Sequence, residues 1–431
     1  MNNPIFQFQL GLPAYEDLNY YEVYQTPFFT LARPWEFNGW KPESLSWKKG
    51  CYIHTGLSRT GRIAFKGPEA GGFLESLCIN SFAKFPVGSM KHGVMCNKDG
   101  LIAGHGIIQR QAEDEYHFFA GGRWPALMAA KSPYQVEVQP LDHYLMQIAG
   151  PTSLMTLERA TGEPLGDLQF LRFRHTTVDG LKSEVARIGM SGNLAYELRG
   201  PIEDAPRVFD AVYRAGRDFG IERLGWRTYL VNHVEGGFPQ VTWTMAAADD
   251  EAGASLRGFW KVSGSVDPAD MRARYRTPVE VGWGRMARFD HEFHGRAAVE
   301  AEVANPGRTV VTLRWNPEDV IDIYASLLRP GEEYKTLDLP YAPARWPLAH
   351  ADQLLCDGRP VGYSSGTIYS YYFREVLSMG CIDLDAAGIG TEVTVQWGDF
   401  GGRIKDVRAT VQKFPYLQEG RNSEVDAARF R

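Results

Sequence analysis

Thr309-Val-Val-Thr-Leu-Arg-Trp315, Thr391-Glu-Val-Thr-Val-Gln-Trp397 and Val407-Arg-Ala-Thr-Val-Gln412 share one texture: β-branched, aliphatic or aromatic residues alternate with polar ones at a period of two. Successive side chains of a pleated strand point to opposite faces, so this alternation marks strands with one buried and one wet face. Gly-rich turns lie between them. Together they indicate a small antiparallel barrel or sandwich, a separate C-terminal domain over residues 306–418. Residues 419–431 read as a polar tail.

Upstream the texture changes. Over roughly the first 240 residues short apolar strands alternate with amphipathic helices, which indicates an α+β body with mixed or antiparallel sheets. Arg62-Ile-Ala-Phe-Lys-Gly67 reads as a strand and Gly71 to Ile79 as a helix. Met95-Cys-Asn-Lys-Asp-Gly-Leu-Ile102 carries an Asp99-Gly100 turn, the strongest hairpin signal in the chain. Beyond it, Gly104-His105-Gly106 sets an imidazole between two glycines, where a backbone or ligand can approach closely.

A second copy of the plan follows, with Gln147-Ile-Ala-Gly-Pro151, a helix over Thr152 to Ala160 and a strand near Glu184 to Ile188. Val208, Val212, Ala215 and Phe219 fall three or four apart, which predicts a helix from Asp204, as N-cap, to a stop at Gly220. This body, two related subdomains, spans residues 1–245, and residues 246–305 complete it. Within that segment, 246–277 holds Asp249-Asp-Glu251, small residues and Arg272, Arg274 and Arg276. It reads as a solvated excursion or as a lid or subunit contact over a neighbouring pocket.

Composition bounds the function. At 431 residues the chain exceeds one ordinary hydrophobic core, so two or three domains are expected. A net charge of −6 without a basic stripe argues against nucleic acid. No run of apolar residues is long enough to span a bilayer, and the N-terminus lacks a secretory pattern, so a cytoplasmic protein without a membrane partner is expected. The five cysteines are scattered, as expected of free thiols in a reducing compartment. No His, Asp and Glu combination has metal-ligand spacing, and no metal is expected.

One segment gathers chemistry. Gly225-Trp-Arg-Thr-Tyr229-Leu-Val-Asn-His233-Val-Glu-Gly-Gly-Phe238-Pro239 places a phenol, an imidazole and a Gly-Gly turn within fifteen residues. It resembles the segment lining the central pocket of the glycine-cleavage T-protein (aminomethyltransferase) family, and its Tyr-bearing form resembles the tetrahydrofolate-dependent O-demethylases of vanillate and syringate. Further likenesses follow in order. They are Gly192-Asn-Leu-Ala-Tyr-Glu-Leu198, Val279-Glu-Val-Gly-Trp-Gly284 with Phe289-Asp-His-Glu-Phe-His-Gly-Arg296, Val311-Thr-Leu-x-Trp315-Asn316 with Ile323-Tyr-Ala-Ser-Leu327, and Asp357-Gly-Arg-Pro-Val-Gly362 with Ser365-Gly366.

The resemblance implies an α+β, three-domain clover-leaf with a C-terminal antiparallel β-barrel. It also implies a central hole that binds tetrahydrofolate, and a one-carbon unit passing between a small aromatic substrate and the folate. Glu197 matches the glutamate that grips the pterin edge, a task suited to a carboxylate because it accepts parallel N–H bonds. Tyr229 matches the tyrosine beside the scissile ether, where a positioned proton donor helps a poor phenolate leave. Arg123 falls near an arginine that meets the substrate carboxylate or phenolate, and His233 is placed to tune the phenol or touch substrate. Three positions depart from the pattern. His105 replaces an aspartate that faces the folate, Arg59 stands where relatives carry His, and Phe238 stands where the O-demethylases carry Trp.

Two activities are therefore expected as alternatives. The first is tetrahydrofolate-dependent O-demethylation of a methoxylated lignin-type aromatic. The second is a folate-independent lyase in which His105 and Tyr229 release formaldehyde from a hydroxymethyl group of a lignin-derived dimer. A monomer or homodimer suits either.

Overall fold

The computed structural model describes residues 20–25, 30–54, 62–119, 122–241, 243–252, 261–340, 348–418 and 420–430. The alternating strands close on themselves. Arg308–Trp315 pairs with Glu375–Asp383, and the order continues through Arg359–Ser370, Asp352–Cys356 and Glu392–Trp397 to Lys405–Gln412, which pairs back with Arg308–Trp315. The fold is thus a closed antiparallel barrel, not a sandwich. Its inward residues, among them Leu313, Trp315, Val395, Trp397 and Val411, form one buried cluster. Both indoles are satisfied: Trp315 Nε1 donates to Ser378 Oγ at 3.0 Å and Trp397 Nε1 to the Lys335 carbonyl at 2.6 Å.

The body holds two sheets. The first runs Phe173–Val178, Leu181–Ala186, Ala195–Pro201, His143–Ala149, Cys51–His54 and Ile221–Arg223, with only the last pair parallel. Against it packs the helix Ala205–Gly216, whose Val208, Phe209 and Val212 are buried. Asp204 does not cap this helix. A 3-10 turn over Ile202–Asp204 leads into it, and the Asp204 side chain accepts no capping hydrogen bond. Gly220 does mark the stop, at φ +72, after a further 3-10 turn.

The second sheet runs Met90–Cys96, Ile102–Ala112, Glu115–Phe119, Arg62–Lys66 and Glu137–Leu141, all antiparallel. The Asp99-Gly100 turn closes its first hairpin, with Gly100 at φ +77. The helix expected over Gly71 to Ile79 is shorter, Ala70–Glu75. The two sheets meet at Phe119, which lies between two guanidiniums, Arg199 at 3.8 Å and Arg62 at 4.6 Å.

Two sequence expectations are corrected by burial. The described parts of 246–277, residues 246–252 and 261–277, are not wholly solvated: Ala246, Ala248, Tyr275, Arg274 and Arg276 are buried. Arg274 donates to the carbonyls of Ala349, Val266, Asp267 and Asp270, and Arg276 to those of Ala273 and Tyr275. The two arginines satisfy backbone that the segment would otherwise bury unpaired. Nor do residues 420–430 form only a polar tail. Asn422 and Ala427 are buried, Asn422 Nδ2 donates to the Ala195 carbonyl at 3.0 Å, and Arg187 Nη2 donates to the Asn422 carbonyl at 2.9 Å.

Candidate active site

The segment that carries the phenol folds as the helix Trp226–Gly236. Its exposed N–H groups are met from outside: the Glu43 carboxylate accepts from Gly225 N at 2.8 Å and from Thr228 Oγ1 at 3.3 Å. At the other end Gly237 is left-handed at φ +67, and Phe238 N donates to the His233 carbonyl at 2.8 Å. This Schellman-type stop requires glycine twice over. A Cβ on Gly237 would lie 2.5 Å from Pro415, and one on Gly236 would lie 2.7 Å from the Met190 carbonyl. The tight turn carries Phe238 back beside His233.

A chain of rings results. His54 stacks on Tyr229 at 4.0 Å and 13°. Tyr229 meets His233 edge-on at 4.7 Å, and His233 meets Phe238 at 6.1 Å. Phe238 then contacts His92 at 5.5 Å and His105 at 6.0 Å, and Trp283 covers both imidazoles at 4.7 and 4.8 Å. Trp226 and Trp243 flank Tyr229 and His233 at 5.1 and 5.6 Å. Edge-to-face packing of this kind adds to the area buried.

Tyr229 and His233 are fully buried, whereas His92, Phe238, Ile107 and Met190 keep part of their surface accessible. The phenol is thus enclosed by rings and a thioether; it does not stand open at a cavity wall. Its hydroxyl donates to Met190 Sδ at 3.8 Å, a weak acceptor. Burial, reinforced by Tyr52 and Glu197 and opposed by the Gln147 side chain, pushes its pKa well above the ordinary phenol value. Tyr229 therefore keeps its proton at neutral pH and acts as a hydrogen-bond donor.

The imidazoles stay neutral. Burial lowers His92 and His233 to about 4, and lowers His105 well below its usual value with help from His92 and His233. Their tautomers follow from fixed partners. His233 Nδ1 donates to the Tyr229 carbonyl at 3.3 Å, which leaves a lone pair on Nε2, a buried atom with no hydrogen-bond partner. His105 Nε2 accepts from the Val241 backbone N–H at 3.2 Å, so its proton sits on Nδ1, which donates to His92 Nε2 at 3.1 Å.

Glu197 lies one strand away, on Ala195–Pro201. Arg199, fully buried, donates to its Oε2, and Gln147 Nε2 donates to its Oε1 at 3.2 Å. Arg199 also donates to Gln109 Oε1 at 2.8 Å and faces Glu184 at 3.5 Å. Burial pushes the Glu184 carboxyl up, yet Arg199 and Arg62 outweigh it and hold it below its ordinary value. Two amide atoms here, Gln147 Oε1 and Gln109 Nε2, are buried without a hydrogen-bond partner.

The structure thus brings together Tyr229, His233, Phe238 and His105, with Glu197 close enough to act on the Tyr229 phenol. It does not pair His105 with Tyr229. Both His105 nitrogens are engaged elsewhere, and the imidazoles in contact with the phenol ring are His54 and His233. Arg123 is half exposed at the start of the helix Arg123–Ala129, 3.9 Å from Asp249, and stands apart from the rings. Arg59 lies outside the described residues.

Sequence reasoning missed His54, His92, Trp283 and Gln147. One was within reach, because the Asp99-Gly100 hairpin pairs Val94 with His105 and so puts His92 and His105 on one face.

The GCVT N-terminal domain family matches residues 14–263, more than half of the chain. The chain belongs to the aminomethyltransferase family. Sesamin methylene transferase of Sinomonas sp. is 36% identical over 427 residues, 92% of each chain. Syringate O-demethylase of Sphingobium sp. is 28% identical over 428 residues, again 92% of each. The aminomethyltransferase T of the Bartonella henselae glycine cleavage system superposes with a TM-score of 0.68 at 17% identity, covering 93% of this chain and 95% of that one. The fold is therefore the α+β T-protein architecture with its C-terminal barrel, and the family's enzymes are one-carbon transferases. No described helix is long and apolar enough to cross a membrane, and no group of three potential metal ligands occurs among the described residues.

Proposed function

We propose that this aminomethyltransferase-family protein removes a methyl or methylene carbon from the ether oxygen of a small aromatic and passes it to tetrahydrofolate. The observation that carries this reading is the pairing of a proton-retaining phenol, Tyr229, with a neutral imidazole whose Nε2 has no partner, His233, inside a wall of aromatic rings. Sesamin methylene transferase and syringate O-demethylase, both matched nearly end to end, are named for substrates of this kind.

The residues around Glu197 suit a pterin. Its carboxylate is acceptor-only, and the orphaned Gln147 Oε1 and Gln109 Nε2 offer one acceptor and one donor beside it. Glu197 and Gln147 would hold the pterin's amino-pyrimidine edge, and Arg199 fixes the Glu197 carboxylate by donating to its Oε2. Bound folate would supply the nucleophilic nitrogen that takes the carbon.

The protein's own residues act on the leaving oxygen. Because burial holds the Tyr229 proton tightly, the phenol, once substrate takes the place of the partly exposed Met190 thioether beside it, stabilises the departing phenolate by donating a hydrogen bond without giving up its proton. His233 Nε2 accepts from a hydroxyl on the substrate, orienting it. Trp226, Trp243 and Phe238 exclude water from this region.

The test is a panel of methoxy- and methylenedioxy-arenes incubated with purified protein, with and without tetrahydrofolate, assaying one-carbon folate and free formaldehyde. One-carbon folate that forms only when folate is present is the expected result. Formaldehyde released without folate would replace this reading with the lyase, and absence of both products would overturn it.

A further inference from the structure

His92 is unused by this chemistry, yet it is the last link of a directed hydrogen-bond chain. The chain begins at a backbone amide, which can only donate: Val241 N–H to His105 Nε2, then His105 Nδ1–H to His92 Nε2. Because the first donor cannot reverse, both tautomers are fixed, and His92 must carry its proton on Nδ1. That N–H has no protein acceptor among the described residues, although His92 touches Phe238 and Trp283 and keeps part of its surface accessible.

Phe238 contacts three imidazoles: His233, with Tyr229 beyond it, at 6.1 Å, His92 at 5.5 Å and His105 at 6.0 Å. An arene packed on Phe238 would have the phenol and these imidazoles around its edge.

We propose that His92 is a specificity-determining donor, set by the Val241–His105 chain, that recognises a second, uncharged oxygen substituent on the substrate ring. This rests on the aryl-ether reading above and names its substrate class: arenes bearing the reacting ether and a further methoxy, methylenedioxy or hydroxyl oxygen. Charge selects among oxygen acceptors. Burial keeps His92 and His105 uncharged at neutral pH, so His92 offers a neutral donor, whereas a carboxylate would be drawn to a guanidinium. His105 is a positioning residue here and acts only through His92.

The experiment compares two substrates, one with the reacting methoxy group alone and one with an additional ring methoxy, in the wild type and in His92→Phe, His92→Asn and His105→Phe. The wild type is expected to favour the two-oxygen substrate through KM. His92→Phe is expected to raise KM for that substrate roughly tenfold, with a much smaller change for the one-oxygen substrate. His92→Asn, which retains a donor, restores part of the preference, and His105→Phe reduces it by freeing the His92 tautomer. Quenching of Trp283 fluorescence by a non-reactive two-oxygen arene reads binding without turnover and should weaken in His92→Phe.

If the wild type demethylates but His92→Phe affects both substrates equally, the inference fails while the proposed function stands. If the wild type transfers no carbon from either substrate yet binds the two-oxygen arene through His92, the proposed function fails instead.

Discussion

The barrel interior and the ring cluster around Tyr229 are both rich in buried aromatic side chains, yet they are built to different standards. In the barrel, Trp315 and Trp397 each direct the indole N–H to a fixed acceptor, and the remaining space is filled by Val and Leu. In the body, four of the chain's ten histidines join one ring cluster. There His233 Nε2 has no hydrogen-bond partner, the Tyr229 hydroxyl donates to a thioether beside the Gln147 side chain, and the amides beside Glu197 are half-satisfied. An unpaired buried polar atom costs on the order of 1–3 kcal/mol. A core that only needs to fold would not retain several of them side by side, so the contrast separates a structural interior from a working one.

The largest effect should come from the barrel. Trp397→Ala removes a fully buried indole and is expected to cost about 3–5 kcal/mol in denaturant unfolding, while turnover per folded molecule stays near wild type. Tyr229→Phe should do the reverse. Its hydroxyl donates to the weak acceptor Met190 Sδ, so stability should move by less than about 1 kcal/mol, while kcat falls by about 10²-fold. Equal loss of stability in the two variants would erase the distinction.

A third expectation concerns acid. His92 and His233 titrate near 4 when folded, below the ordinary histidine value of 6.5 that the unfolded chain adopts. The unfolded state therefore binds more protons between those values, and stability is present above pH 6.5 and lost as the pH falls toward 4. By pH 5.5 each imidazole should remove about 1 kcal/mol. The melting temperature should drop between pH 7.5 and 5.5, and the slope should flatten in His233→Gln. A slope unchanged in that variant would mean the acid sensitivity lies elsewhere.

Much of the architecture was legible because it is local. The period-two runs at 309–315, 391–397 and 407–412 are all barrel strands, and the Asp99-Gly100 turn sits where its hairpin closes. Asp204 misled because a capping residue is recognised by type, whereas the 3-10 turn ahead of it is set by the packing of Ile202 and Pro206. Arg274 and Arg276 looked solvated because charge normally means surface; nothing in the sequence says that backbone carbonyls of their own segment and of distant Ala349 would converge on them.

The site was half legible for the same reason. Tyr229, His233 and Phe238 share one helix and its terminal turn, so spacing and resemblance find them together. His54 and Trp283 reach the cluster from a strand and a loop far along the chain, and only the fold brings them in. Arg123, expected near the substrate, is half exposed and 3.9 Å from Asp249.

The residues beyond the barrel return to the first sheet, where Asn422 accepts two hydrogen bonds from Arg187 and donates one to Ala195 on the strand bearing Glu197. During synthesis that sheet emerges long before residue 422 does. The pocket-bearing lobe must therefore wait, incompletely bonded, until the barrel has cleared the ribosome, so a stalled or truncated nascent chain would engage chaperones through its N-terminal half.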